Sequence, residues 1–145
     1  MEIYTVGFTQ KSARQFFDLL KANGIRRLVD VRLSNSGQLA GFTKSTDLAY
    51  FLDVICDAEY VHQPLLAPTK QLLSDYRNGT CSWAEYEEIF NALLSERQIA
   101  TAISPTLFDI TAVMLCSEPT AEQCHRRLVA EFLQRHWDDV TIHHL

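Results

Sequence analysis

Short apolar runs alternate with helical patterns along the whole chain, and few architectures bury both. The runs are Ile3–Val6, Arg27–Val31, Glu59–His62, Thr111–Cys116 and Val140–His144. Each reads as a strand covered on both faces, as in parallel sheets. Between them, Ser12 and Gln15 form a capping box ahead of Phe16, Phe17 and Leu20, and Asn23-Gly24 stops that helix. Leu48, Phe51, Leu52 and Ile55 recur at helical spacing behind Ser45 or Thr46. Ser82 with Glu85 opens a helix through Tyr86, Ile89, Phe90 and Leu93. Thr120 with Gln123 reads as a third box, ahead of Leu128, Val129, Phe132 and Leu133, and would place Cys124 about four residues into its helix. The pattern predicts an α/β fold in three layers: a mostly parallel sheet of about five strands with helices on both faces.

With 145 residues, 47% of them hydrophobic, the chain is long enough for one core, so residues 1–145 are expected to form a single α/β domain. Its net charge of −5 gives no general attraction to nucleic acid or anionic membrane, although a local basic pocket is compatible with it. No signal-like start and no long apolar run is present, so a soluble, cytoplasmic protein is expected. The four cysteines, Cys56, Cys81, Cys116 and Cys124, are scattered without a CxxC pair, which fits free thiols in a reducing compartment. Leu33–Ser45 and Pro64–Thr80 read as long irregular stretches, each following a strand.

In open α/β sheets, ligands bind beyond the carboxyl ends of the strands. The expected strands end on Thr5, Gly7 and Thr9, on Asp30 and Arg32, on His62, and on Cys116, Ser117 and Glu118. Asp30 and Arg32 share one strand face, either as a structural ion pair or as a carboxylate and an anion clamp serving a ligand. Cys124 is either a thiolate favoured by a helix N-terminus or a small buried filler. Neighbours on a helix point about 100° apart, which keeps Cys124 from pairing with His125. His125 lies on the stripe of Leu128, Val129 and Phe132 and reads first as a packed core histidine. Arg126 is either an anion site at the helix start or a solvated surface residue. A zinc site can be drawn from Cys116, Glu118, Cys124, His125 and His62, with no dense ligand motif behind it. Trp83, Tyr86 and Phe90 fit core packing before a base-stacking platform. Phosphate-loop, dinucleotide and hydrolase-elbow motifs are absent.

Taken in order, YTVGFTQKSARQFFDLLKANGIRRLVDVR, GFTK, EYVHQPLLA, SWAEYEEIF and VMLCSEPTAEQCHRRLVAEFL resemble the prokaryotic family known as domain of unknown function 488. The resemblance implies an α/β domain with Gly7, Asp30, Arg32, Gly41, Phe42, Lys44, His62, Cys116, Glu118, Cys124, His125 and Arg126 around one cleft, and brings no activity with it. Phe8 and Thr9 stand where the family commonly has His-Ser, and PLLAPTK replaces its usual Pro-Glu-Leu-Gly-Gly.

These residues lead to an enzyme acting on a small anionic substrate, nucleotide-like or otherwise phosphorylated. Arg32, Lys44 and Arg126 would hold the anion beside Gly7 and Thr9, Asp30 and Glu118 would orient substrate or move protons, and His62 and His125 would assist. A covalent step at Cys124 or Cys116 is a secondary version. The alternatives are a binding module associated with nucleotides or nucleic acid and, third, a metal-dependent enzyme. No membrane partner is expected, and the sequence leaves the cofactor and self-association open.

Overall fold

The computed structural model describes residues 1–36 and 41–145. At its centre, β1 (Glu2–Gly7), β2 (Arg27–Asp30), β3 (Glu59–His62), β4 (Ala112–Cys116) and β5 (Thr141–His144) form one five-stranded sheet in the order β3-β2-β4-β1-β5. All four pairings are parallel. The expected apolar runs are these strands, with ends shifted by no more than one residue. All five residues of β4 are buried, which is why that run carries no polar alternation.

From β1 the chain crosses the sheet to β3 at one edge, then returns through β4 to β5 at the other. Crossovers between parallel strands are right-handed, so a reversal of direction puts the connecting helices on opposite faces. The first two connections contain α1 (Ala13–Ala22) and α2 (Ser45–Phe51). There Phe16, Phe17, Leu20, Leu48 and Leu52 pack with Val6, Leu28, Val113 and Leu115 of the sheet. The return contains α3 (Lys70–Arg77), α4 (Trp83–Glu96), α5 (Ile99–Ala102) and α6 (His125–His136). On that side Tyr86, Phe90, Leu128, Val129 and Phe132 share a core with Ile3, Val29 and Met114. Consecutive strand residues thus serve opposite cores, the alternation of a pleated strand. The segments leaving β2 and β4 run to opposite faces, and a crevice opens between them at the carboxyl ends of these adjacent strands.

The Ser12 box is reciprocal: the Gln15 amide donates to Ser12 Oγ (3.1 Å) and the Ser12 amide to Gln15 Oε1 (2.9 Å). Ser82 likewise accepts from the Glu85 amide at 3.2 Å. The third expected box is not a helix start. Thr120–Gln123 lie outside α6, which begins at His125 with Cys124 as its N-cap in an extended conformation. Tertiary bonds override the local capping signal there. Arg126 Nη1 donates to the Glu118 carbonyl (2.7 Å), and the Thr9 amide donates to that of Ser117 (3.1 Å), fixing the turn before the helix can start.

Pro64–Thr80 is not irregular either. It holds a 3-10 turn at Pro64–Leu66 and then α3, whose cap Thr69 accepts from the Leu72 amide at 3.1 Å. Arg97 Nη1 anchors the preceding turn through the carbonyls of Leu65 (2.7 Å) and Ala67 (2.6 Å). In the other expected loop, Gly41–Thr43 form a 3-10 turn leading into α2, while residues 37–40 lie outside the described residues. Among the described residues, no helix is long and apolar enough to cross a membrane.

Candidate functional site

The end of β4 and the start of α6 build the floor of the crevice. Cys116 is the last residue of β4, Cys124 caps α6, and His125 is its first residue. Their two sulfurs and one ring nitrogen all lie within 4.8 Å of one another, and all three residues are buried. The expectation that Cys124 and His125 diverge fails because Cys124 stands outside the helix, where the 100° step between neighbours does not apply. His125 Nε2 lies 2.7 Å from the carbonyl oxygen of Val31, which can only accept, so this nitrogen carries a proton. Cys116 Sγ lies 3.4 Å from Nδ1 and 3.9 Å from Nε2 of the same ring. His125 also packs edge-on against Phe90 at 5.7 Å, so it is a core histidine and a wall of the site at once.

The two thiols are unequal. A hydrogen bond from Cys124 holds the Cys116 thiol below its ordinary range against the opposing effect of burial, aided by the charge of Arg126 and the amides of Ser117 and Glu118. Burial, followed by the hydrogen bond to Cys116, pushes Cys124 up. Of the two, Cys116 is the one whose thiolate form its surroundings favour.

Arg126 is wholly buried, not solvated. Its Nη1 donates to the Glu118 carbonyl (2.7 Å) and to Cys124 Sγ (3.4 Å), while Nε and Nη2 have no hydrogen-bond partner among the described residues. No ion pair with a carboxylate forms at Arg126 among those residues, and Cys124 Sγ is the side-chain atom its guanidinium meets.

Asp30 and Arg32 form a buried ion pair. Arg32 Nε donates to Asp30 Oδ1 (2.8 Å) and Nη2 to Oδ2 (2.7 Å), joined by the Arg32 amide (3.1 Å) and the Tyr60 hydroxyl (2.7 Å). Burial and the bond to Asp30 push Tyr60 up to about 12, so it stays a neutral donor. Arg32 Nη2 also reaches the Thr43 carbonyl (2.7 Å), and its guanidinium lies over the Phe8 ring at 5.4 Å. His62 Nε2 lies 3.0 Å from the Arg32 carbonyl oxygen. This network fixes Arg32 where β2 leaves the sheet.

Above the floor is a cavity of about 590 Å³, within the roughly 300–1,000 Å³ typical of small-molecule sites. Arg32 bounds one side, Lys70, Tyr76 and Arg77 of α3 another, and Trp83 and Tyr86 of α4 a third, with Glu118 at the rim and Cys116, Cys124 and His125 below. Trp83 and Tyr86 stack on each other at 5.1 Å, combining core packing with a flat wall. Tyr76 donates to Gln123 Oε1 (3.1 Å), tying α3 to the approach to α6.

Of the residues expected to meet here, Arg32, Cys116, Glu118, Cys124 and His125 line the cavity, whereas Gly7, Thr9, Asp30, Gly41, Phe42, Lys44, His62 and Arg126 do not. Of the five residues from which a zinc site could be drawn, Cys116, Cys124 and His125 converge, and Glu118 and His62 lie outside the group. Lys70 and Arg77 were missed with α3 itself, for which Thr69 was the available capping signal.

A model of the family described as Domain of unknown function DUF488 matches residues 12–133. The chain belongs to this family. No curated protein and no solved structure matches it. The DUF488 segment runs from the cap of α1 into α6 and contains every cavity residue named above, leaving β1 and β5 outside.

Proposed function

We propose that this DUF488 protein is an enzyme acting on a small anionic substrate, nucleotide-like or otherwise phosphorylated, bound in the cavity beyond β2 and β4. The carrying observation is the juxtaposition of Arg32, Lys70 and Arg77 around a cavity whose floor is Cys116, Cys124 and His125. Arg32 presents a guanidinium already oriented by Asp30, while Lys70 and Arg77 supply exposed cations to the anion. Trp83 and Tyr86 offer a flat surface for a base or another planar group. Chemistry takes place at the floor, and Glu118 at the rim carries protons to and from solvent. Asp30, His62 and Arg126 act as positioning residues, through Arg32 for the first two and through the Glu118 carbonyl and Cys124 for the third.

The test is a turnover screen of nucleotides and sugar phosphates, with binding measured in parallel by calorimetry. Replacing Lys70 and Arg77 together by Ala weakens binding of the turned-over compound by roughly 1.5–3 kcal/mol, the range of charge-assisted hydrogen bonds, while leaving the melting temperature near wild type. Cys116→Ser abolishes turnover with binding retained. Saturable binding without turnover of any member would instead make the protein a binding module, and undiminished affinity in the double variant would remove the anion from this cavity.

A further inference from the structure

We infer that Cys116, Cys124 and His125 form a three-ligand zinc site whose fourth position opens into the cavity. Tetrahedral zinc takes bonds of about 2.3 Å to sulfur and 2.0–2.1 Å to nitrogen, which separates a sulfur and a nitrogen ligand by about 3.5 Å. Cys116 Sγ and His125 Nδ1 are 3.4 Å apart, and Cys124 Sγ completes a group within 4.8 Å. Two sulfurs and an imidazole, with no carboxylate in the group, are a donor set suited to zinc and poor for magnesium or calcium.

Outer contacts support the same assignment. Ligating histidines ordinarily donate their second ring N–H to a carbonyl or carboxylate, fixing the ring and leaving the other nitrogen for the metal. His125 does this through Nε2 and the Val31 carbonyl at 2.7 Å, leaving Nδ1, the ring nitrogen nearer Cys116 Sγ (3.4 Å against 3.9 Å), for the metal. Arg126 Nη1 donates to Cys124 Sγ at 3.4 Å, a bond that stabilises a thiolate ligand. The rest of that buried guanidinium has no hydrogen-bond partner among the described residues, and two metal-bound thiolates would balance its charge.

Three protein ligands with one side open distinguish catalytic zinc from the closed four-ligand structural kind. All three residues also line the cavity, so a fourth ligand would reach the metal from there. The role as reaction centre rests on the enzyme reading above. The metal site itself rests on geometry.

The untagged full chain, purified anaerobically, is analysed for zinc by mass spectrometry and then exchanged into Co2+. The expected result is about one zinc per chain and a cobalt spectrum with thiolate charge-transfer bands and the intense visible bands of a tetrahedral site. Cys116→Ser, Cys124→Ser and His125→Gln each weaken Co2+ binding by more than the roughly 10–100-fold that loss of an outer partner costs. Cys56→Ser, on the opposite face, leaves it unchanged. Circular dichroism identifies variants that unfold, and for those the wild type stripped by chelator and reloaded gives the reading.

Folded wild type that binds neither zinc nor Co2+, a cobalt spectrum lacking thiolate bands, undiminished binding in the folded ligand variants, or a Cys116–Cys124 disulfide in the native chain each overturns the inference. Pyrophosphate binding measured on the same preparations separates the two readings. Pyrophosphate bound through Lys70 and Arg77 without zinc overturns the metal site alone, whereas zinc bound with no affinity for any anion overturns the substrate reading alone.

Discussion

Replacing Asp30 by Ala is expected to destabilise the protein by about 3–5 kcal/mol, the loss that follows when one member of a buried ion pair is removed. Asp30 is fully buried and Arg32 is 6% exposed, so without the carboxylate the guanidinium loses two charge-assisted bonds in a place water barely reaches. Tyr60 loses its acceptor as well. The double variant Asp30→Ala/Arg32→Met recovers part of that stability, because it removes the stranded charge together with its partner. Urea denaturation of the four proteins in the cycle measures both quantities. A loss below about 1 kcal/mol for Asp30→Ala would show that solvent reaches Arg32, as in exposed pairs.

Gly7→Ala is expected to have the next largest effect, about 3 kcal/mol, for reasons of space alone. A Cβ at Gly7 would lie 1.6 Å from the carbonyl oxygen of Glu118 and 2.7 Å from its carbon. Both are backbone atoms and cannot rotate away. The Glu118 carbonyl is held in place by Arg126 Nη1, itself 3.0 Å from the added atom, so relief requires moving the whole turn that separates β4 from α6. Gly7 therefore lets the end of β1 pass close beneath the turn that follows β4. A thermal scan should place the variant about 10 °C below wild type. An unchanged melting temperature would mean that the turn is free to shift.

The strands were legible because central parallel strands are buried on both faces and read as unbroken apolar runs; β4 shows this most plainly. Their polar ends could be located for the same reason, and Arg32, Cys116 and Glu118 do line one cavity. Helix starts were less legible. A capping signal at Thr120 is local, whereas the bonds that delay α6 to His125 come from Arg126 and Thr9, the latter far away in sequence. That shift of a few residues decides whether Cys124 can approach His125. α3 was hidden because Lys70–Arg77 spans barely two turns and buries only Leu72. Without it, the cationic wall of Lys70 and Arg77 stayed unassigned. Asp30 shows the remaining difficulty: one strand pattern fits a ligand carboxylate or an ion pair equally well, and its partners Tyr60 and Arg32 become visible only in three dimensions.

Under the proposed function, an anionic substrate binds in the cavity between β2, β4 and α3. Amide chemical shifts of the nitrogen-labelled chain, followed as pyrophosphate is added, test it most directly. Saturable shifts are expected, confined to the segments around Arg32–Ser34, Lys70–Asn78 and Cys116–Glu118, and lost in the Lys70→Ala/Arg77→Ala variant. Saturable shifts clustered elsewhere, or unchanged shifts throughout the titration, would contradict it.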